Sequence, residues 1–70
     1  MTSETYSVIQ TIRTNPKVYA AVRKHLEIRG PSGLMNFVAS LLEDEDGAST
    51  PDGVWIDDRR IDWNDVTNSI

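Results

Sequence analysis

Nine of the eleven carboxylates in this chain lie in its last 28 residues: Glu43, Asp44, Glu45, Asp46, Asp52, Asp57, Asp58, Asp62 and Asp65, against only Arg59 and Arg60. Carboxylates at this density can bind a cation, serve as a catalytic acid and base, or present a negative surface to a basic partner. A calcium loop needs acids or amides at its first, third and fifth positions, glycine at the sixth and glutamate at the twelfth. Counted from Asp44, the third position is Asp46, but Ala48, Ser49 and Trp55 occupy the fifth, sixth and twelfth. Paired catalytic carboxylates need a cleft that perturbs their pKa values, and a chain of 70 residues has little material to build one. The third use remains. Exposed charges contribute little to stability yet steer association and suppress wrong partners. Asp57, Asp58 and Asp62 are therefore expected to face solvent and to be dispensable for folding.

Other reactive side chains are few. Cysteine is absent, which excludes a disulfide framework and any thiolate metal site. His25 has no serine or acid at a recognisable spacing, borders an apolar helical stripe and reads as a structural residue. No phosphate-binding loop, nucleophile elbow or dinucleotide fingerprint occurs, and Gly30-Pro31-Ser32-Gly33 matches none of them. No catalytic residue, metal or cofactor is expected. Trp55 is the most informative aromatic, because a large ring within a charged rim is a common interface anchor.

The elements that must hold these residues are legible in outline. The net charge is −4, divided into +3 over residues 1–42 and −7 over residues 43–70. Ser3 can cap a first helix whose Thr5, Val8, Ile9 and Ile12 share one face. That helix should stop near Thr14, because Pro16 pushes Asn15 out of helical geometry. Asn15 as N-cap and Pro16 at the first helical position then start a second helix, which Gly30 ends. Val18, Tyr19, Val22 and Leu26 form its buried stripe. A third helix over about residues 33–45, with Ser32 as its cap, carries Leu34, Phe37, Val38, Leu41 and Leu42 and is expected to be the centre of the core. Residues 46–53 have loop composition.

Val54 to Trp63 reads as a β-hairpin turning at Asp58-Arg59. This register sorts Val54, Ile56, Ile61 and Trp63 onto one face and Trp55, Asp57, Arg60 and Asp62 onto the other. Asp-Arg is not a favoured hairpin turn, and in a rival reading Asp62 caps a short helix from Trp63. The expectation is a mainly α domain, a three-helix core followed by a C-terminal two-stranded hairpin, compact over residues 1–66 with a loose tail at 67–70. The longest uncharged stretch, Gly30 to Leu42, is too short to span a bilayer. The N-terminal residues lack the basic-then-apolar pattern of a secretory signal, and a cytoplasmic location is expected.

The order of three helices and a hairpin resembles that of a winged helix-turn-helix domain. The resemblance implies a third helix in the major groove and a wing tip at Asp58-Arg59-Arg60. The charges oppose it, since the third helix has no lysine or arginine to neutralise phosphate. The favoured expectation inverts the charge: a small acidic non-enzymatic module that docks on the basic surface of a nucleic-acid-handling protein. In size and charge it is similar in kind to DNA-mimic inhibitors and to phage anti-defence proteins such as anti-CRISPR proteins. The candidate contacts are Glu43, Asp44, Glu45, Asp46, Trp55, Asp57, Asp58, Asp62 and Asp65. A homodimer pairing the basic second helix with the acidic segment of its mate could coexist with either function.

Overall fold

The computed structural model describes residues 1–70 as a mostly helical domain with one small antiparallel hairpin. Helix α1 spans Ser3–Thr14 and buries Thr5, Val8, Ile9 and Ile12, the predicted face. Its N-cap is Thr2 and not Ser3: the Thr2 hydroxyl accepts from the Thr5 N–H at 3.1 Å and donates to the Arg60 carbonyl at 2.7 Å. Capping and a long-range tether thus favour the same residue. Helix α2 spans Pro16–Arg29, with the Asn15 side chain accepting from the N–H groups of Lys17 and Val18. Gly30 ends it at φ 65°, a conformation that a side chain disfavours.

Helix α3 spans Leu34–Leu42. Gly33 occupies its N-cap with no side-chain hydrogen bond, so Ser32 is not the cap. The Ser32 carbonyl instead receives the His25 ring Nε2 at 2.8 Å. Leu34 and Val38 are buried as predicted, but Phe37 and Leu42 are half-buried and Leu41 is exposed. The helix stops three residues short of Glu45, because successive carboxylates oppose the negative end of the helix dipole. Glu43 turns the chain into extended geometry.

The hairpin lies where that helix was expected to fray. Strand β1 (Glu43–Asp44) pairs with β2 (Gly47–Ala48), with Glu45-Asp46 at the turn. The Asp44 carboxylate accepts from the Asp46 N–H at 2.9 Å, and Gly47 adopts φ 117°. Residues 54–56 then run back along residues 48–50: Ser49 bridges Trp55, and the Ile56 N–H donates to the Ala48 carbonyl at 3.1 Å. Gly53, at φ 92°, closes the reversal. The chain reverses where glycine supplies positive φ, which Asp58-Arg59 cannot do.

The predicted hairpin over 54–63 is therefore corrected. Beyond Ile56 the chain makes two turns, closed by Asp58 N–H to the Trp55 carbonyl and Ile61 N–H to the Asp58 carbonyl. Asp62 then caps helix α4 (Trp63–Ser69), accepting from the N–H groups of Asn64 and Asp65. Residues 67–69, expected to trail loosely, belong to this helix, and Ile70 packs against the core. That core joins Val8, Ile9, Ile12, Val18, Val22, Leu34, Val38, Ile56, Ile61 and Val66. Helix α1, packed against α2 and α4, contributes Val8, Ile9 and Ile12, while α2 and α3 contribute two residues each, so α3 is not its single centre. No helix is long and apolar enough to cross a membrane.

Candidate acidic interface

The hairpin and the return segment bring part of the predicted acidic set into one region, with Asp46 and Asp57 beside Trp55. Glu43, Asp44, Glu45 and Asp46 are all exposed along β1 and its turn, and Asp57 is exposed just beyond the return segment. Trp55 is 46% exposed, and its ring lies against Gly47, where an added Cβ would meet Cζ3 at 3.2 Å. Asp46, Trp55 and Asp57 line one shallow notch with Ala39 and Ala48. A half-exposed indole in a rim of carboxylates, set on a glycine that lets it lie flat, can bury its apolar face against a partner while the rim pairs with cations.

These carboxylates are free. The two ion pairs of the molecule both use Arg60, which reaches Glu4 at 3.3 Å and Asp58 at 2.8 Å. Glu43, Asp44, Glu45, Asp46 and Asp57 have no cation within salt-bridge range.

Asp58, Asp62 and Asp65 do not join this face. The Asp58 side chain accepts from the Arg60 guanidinium and from the Arg60 backbone N–H at 2.9 Å. These bonds, the side-chain ones foremost, hold its carboxyl down at about 2. Asp62 is committed to the α4 cap, and Asp65 sits half-buried in the first turn of that helix. Asp62 also borders a notch containing Arg59 and Arg60, so its surroundings are of mixed sign. Asp62 is exposed, as expected, and Asp58 is half-buried; each carboxylate is engaged locally, by the α4 N-terminus and by Arg60 respectively.

Two polar networks escape sequence reasoning. The buried Thr5 hydroxyl accepts from the Asp62 N–H at 2.8 Å, lies 2.7 Å from the Thr2 hydroxyl, and reaches the Arg60 carbonyl. It pins residues 60–62 to the start of α1. On the other side of that helix, the Ser7 and Thr50 hydroxyls both bond Oδ1 of Asp52, which lowers the Asp52 carboxyl below the usual range. Helical periodicity assigns Ser7 to solvent, because it lies about 200° from Thr5 around the helix. Only the loop at 50–54 covers it. Thr50-Pro51-Asp52-Gly53 signals a turn, but nothing local shows which helix that turn meets.

Ser7 beside Asp52 has the types of a nucleophile and an acid, without a base between them. The one histidine is elsewhere, its ring stacked on Phe37 at 4.6 Å between centroids. No three His, Asp or Glu side chains converge as a metal site would require. In comparison with known proteins, no family matches the chain, and no curated protein or solved structure shows significant similarity to it.

Proposed function

We propose that the chain is a non-enzymatic binding module that docks the face formed by Glu43, Asp44, Glu45, Asp46, Trp55 and Asp57 on the basic, nucleic-acid-binding surface of a partner protein. The observation that carries this reading is the half-exposed Trp55 beside Asp46 and Asp57, neither engaged by a cation, next to a hairpin whose remaining acids are exposed and unpaired. An acidic surface serving solubility alone has no need of an exposed indole. Carboxylates on such a face occupy positions that phosphates would take, so the chain acts as a mimic of nucleic acid. Asp58, Asp62 and Asp65 leave the contact set, because the fold uses or half-buries them.

Direct DNA binding is the weaker reading. The exposed residues of α3 include Asn36 and Ser40 and no cation, and the hairpin following it is acidic. Affinity for DNA rests largely on neutralising phosphates.

The test uses the immobilised chain and a variant with Asp44, Asp46 and Asp57 changed to Asn. The parent should capture a basic nucleic-acid-binding protein from host extract, the variant should lose it, and duplex DNA should displace it from the parent. Capture that is indifferent to the substitutions and to DNA would remove the proposal. A direct gel shift should show no binding of the chain to duplex DNA at physiological salt. Sub-micromolar binding that weakens steeply with salt would instead support a DNA-binding role.

A further inference from the structure

The basic side of the molecule is also unsatisfied. Lys17, Arg23, Lys24 and Arg29 on α2 have no carboxylate within salt-bridge range. Arg23 is partly occupied, lying 5.8 Å from the Tyr19 ring centroid. Lys24 and Arg29 instead flank a notch of about 250 Å³, completed by Ala21, His25, Ile28 and Phe37. Ile28 on its wall is 69% exposed. His25 and Phe37 in its lining are stacked on one another, with an interplanar angle of 21°. The His25 ring is fixed in turn by its bond to the Ser32 carbonyl. An aromatic and aliphatic lining flanked by two cations suits a planar apolar group that brings its own carboxylates. The cations can lie over its ring or pair with its acids.

The chain itself exposes such a group. Trp55 presents its half-exposed ring beside Asp46 and Asp57, with neither acid engaged by a cation. Within one molecule the two cannot meet. Ala39 borders the Trp55 notch and Phe37 borders the basic one, and residues two apart lie about 200° apart around α3. The two features therefore face opposite sides of the third helix. We propose that copies of the chain associate head to tail, with Trp55, Asp46 and Asp57 of one copy entering the notch between Lys24 and Arg29 of the next. Because the two patches face opposite sides, two copies cannot make both contacts reciprocally as a two-fold dimer would; the contact repeats head to tail, either closing into a ring of several copies or leaving one acidic and one basic face open at the ends. One side chain in one notch covers less than the roughly 800 Å² per partner of a standard stable interface, so association is weak and rises with concentration. The acidic face is the one assigned above to a basic partner, so self-association masks it and the two events compete. The self-contact stands independently of that assignment, because it is measured on the purified chain alone.

Sedimentation velocity on the purified chain, from micromolar to about 1 mM, tests the contact. The mean mass of the parent should rise past that of a dimer without levelling there, and added salt should lower it. Trp55→Ala lacks the inserted group, and Lys24→Glu with Arg29→Glu lacks the receiving notch. All three substitutions are on the surface, and thermal melts would confirm that the variants fold. Each variant alone should associate at least about tenfold more weakly, a loss of about 1.4 kcal/mol. Mixed together, the two variants should form a one-to-one complex and stop, because only one productive contact remains. A parent that stays monomeric throughout overturns the proposal and leaves the notch to an acidic segment of another protein. A parent that levels off at a dimer, or a mixture that stays monomeric, overturns it as well.

Discussion

Residues 43–57 and residues 58–66 are both acidic, and each carries one tryptophan, yet the fold uses them in opposite ways. In the first stretch the chain reverses at Gly47 and Gly53, and the carboxylates other than Asp52 are left in water beside a half-exposed Trp55. In the second, Asp58 holds Arg60, Asp62 caps α4, and Trp63 packs against the core. Formal charge already distinguishes the two stretches, −6 against −1, because Arg59 and Arg60 both fall in the second. What separates their roles is whether a cation or a helix N-terminus lies within reach of each carboxylate, which depends on where the chain turns.

The largest effect should come from the apolar anchor that holds the free acids in place. Ile56 is fully buried and ends the return segment that positions Trp55 and Asp57. Ile56→Ala should cost about 2–5 kcal/mol, a large share of the stability of a domain this small. Chemical denaturation would measure it. A loss well under 1 kcal/mol would mean that the 43–57 face is not tied to the core through this residue.

The second stretch should break at its polar pin. Thr5→Val preserves the side-chain shape and removes the hydroxyl that accepts from the Asp62 N–H. Leaving a partly buried donor without a partner should cost about 1–3 kcal/mol. Amide hydrogen exchange should speed up first at residues 60–66. Uniformly faster exchange across the molecule would show that Thr5 supports the whole core and not this segment in particular.

Legibility follows the same division. The first two helices are readable nearly to the residue, because Asn15-Pro16 and Gly30 combine backbone constraint with capping chemistry, and the stripe of Val8, Ile9 and Ile12 has one possible inside. The mainly helical class with a single hairpin is readable too. The hairpin's position is not, because the alternation of Val54, Ile56, Ile61 and Trp63 mimics two paired strands. Ile56 and Ile61 are both buried, but from separate turns. The glycine at 47 was the better signal, obscured by the acids around it. Of the acidic face, Glu43 to Asp46, Trp55 and Asp57 are legible as exposed residues. The diversion of Asp58 and Asp62 into structure depends on Thr2 and Thr5, more than fifty residues away, and on an Arg60 pair that spacing alone does not single out.

Asp58 also gives the comparison a pH axis. Its carboxyl lies at about 2 in the fold against an ordinary 3.8, because Arg60 favours the charged form. A depressed pKa contributes stability that is fully present above the ordinary value and is lost as pH falls from about 4 through about 2. The parent should therefore lose thermal stability across that window, and Asp58→Asn should lose less of it while melting lower at pH 7. Arg60 is largely exposed, so the difference should be small and should shrink in high salt. Identical acid limbs for parent and variant would place Asp58 among the free acids.

The smallest effect on stability should belong to the free acids themselves, and it draws the comparison most finely. Changing Asp44, Asp46 and Asp57 to Asn removes charges that pair with no cation, so the melting temperature should stay the same or rise slightly as mutual repulsion is relieved. Asp44→Asn keeps an oxygen that can still accept from the Asp46 N–H, so the hairpin turn survives. Binding to a basic partner should respond strongly all the same. Long-range attraction acts on the encounter, so the triple variant should lower the association rate and flatten its salt dependence while the dissociation rate changes less. Trp55→Ala should do the reverse, raising the dissociation rate and sparing the salt dependence, because a desolvated ring acts after contact. Surface plasmon resonance on the two variants separates these effects once a captured partner is in hand. A triple variant that melts several degrees lower would show these carboxylates to be structural, erasing the distinction between the two stretches. One that melts and binds like the parent would reduce the acidic face to a solubilising surface.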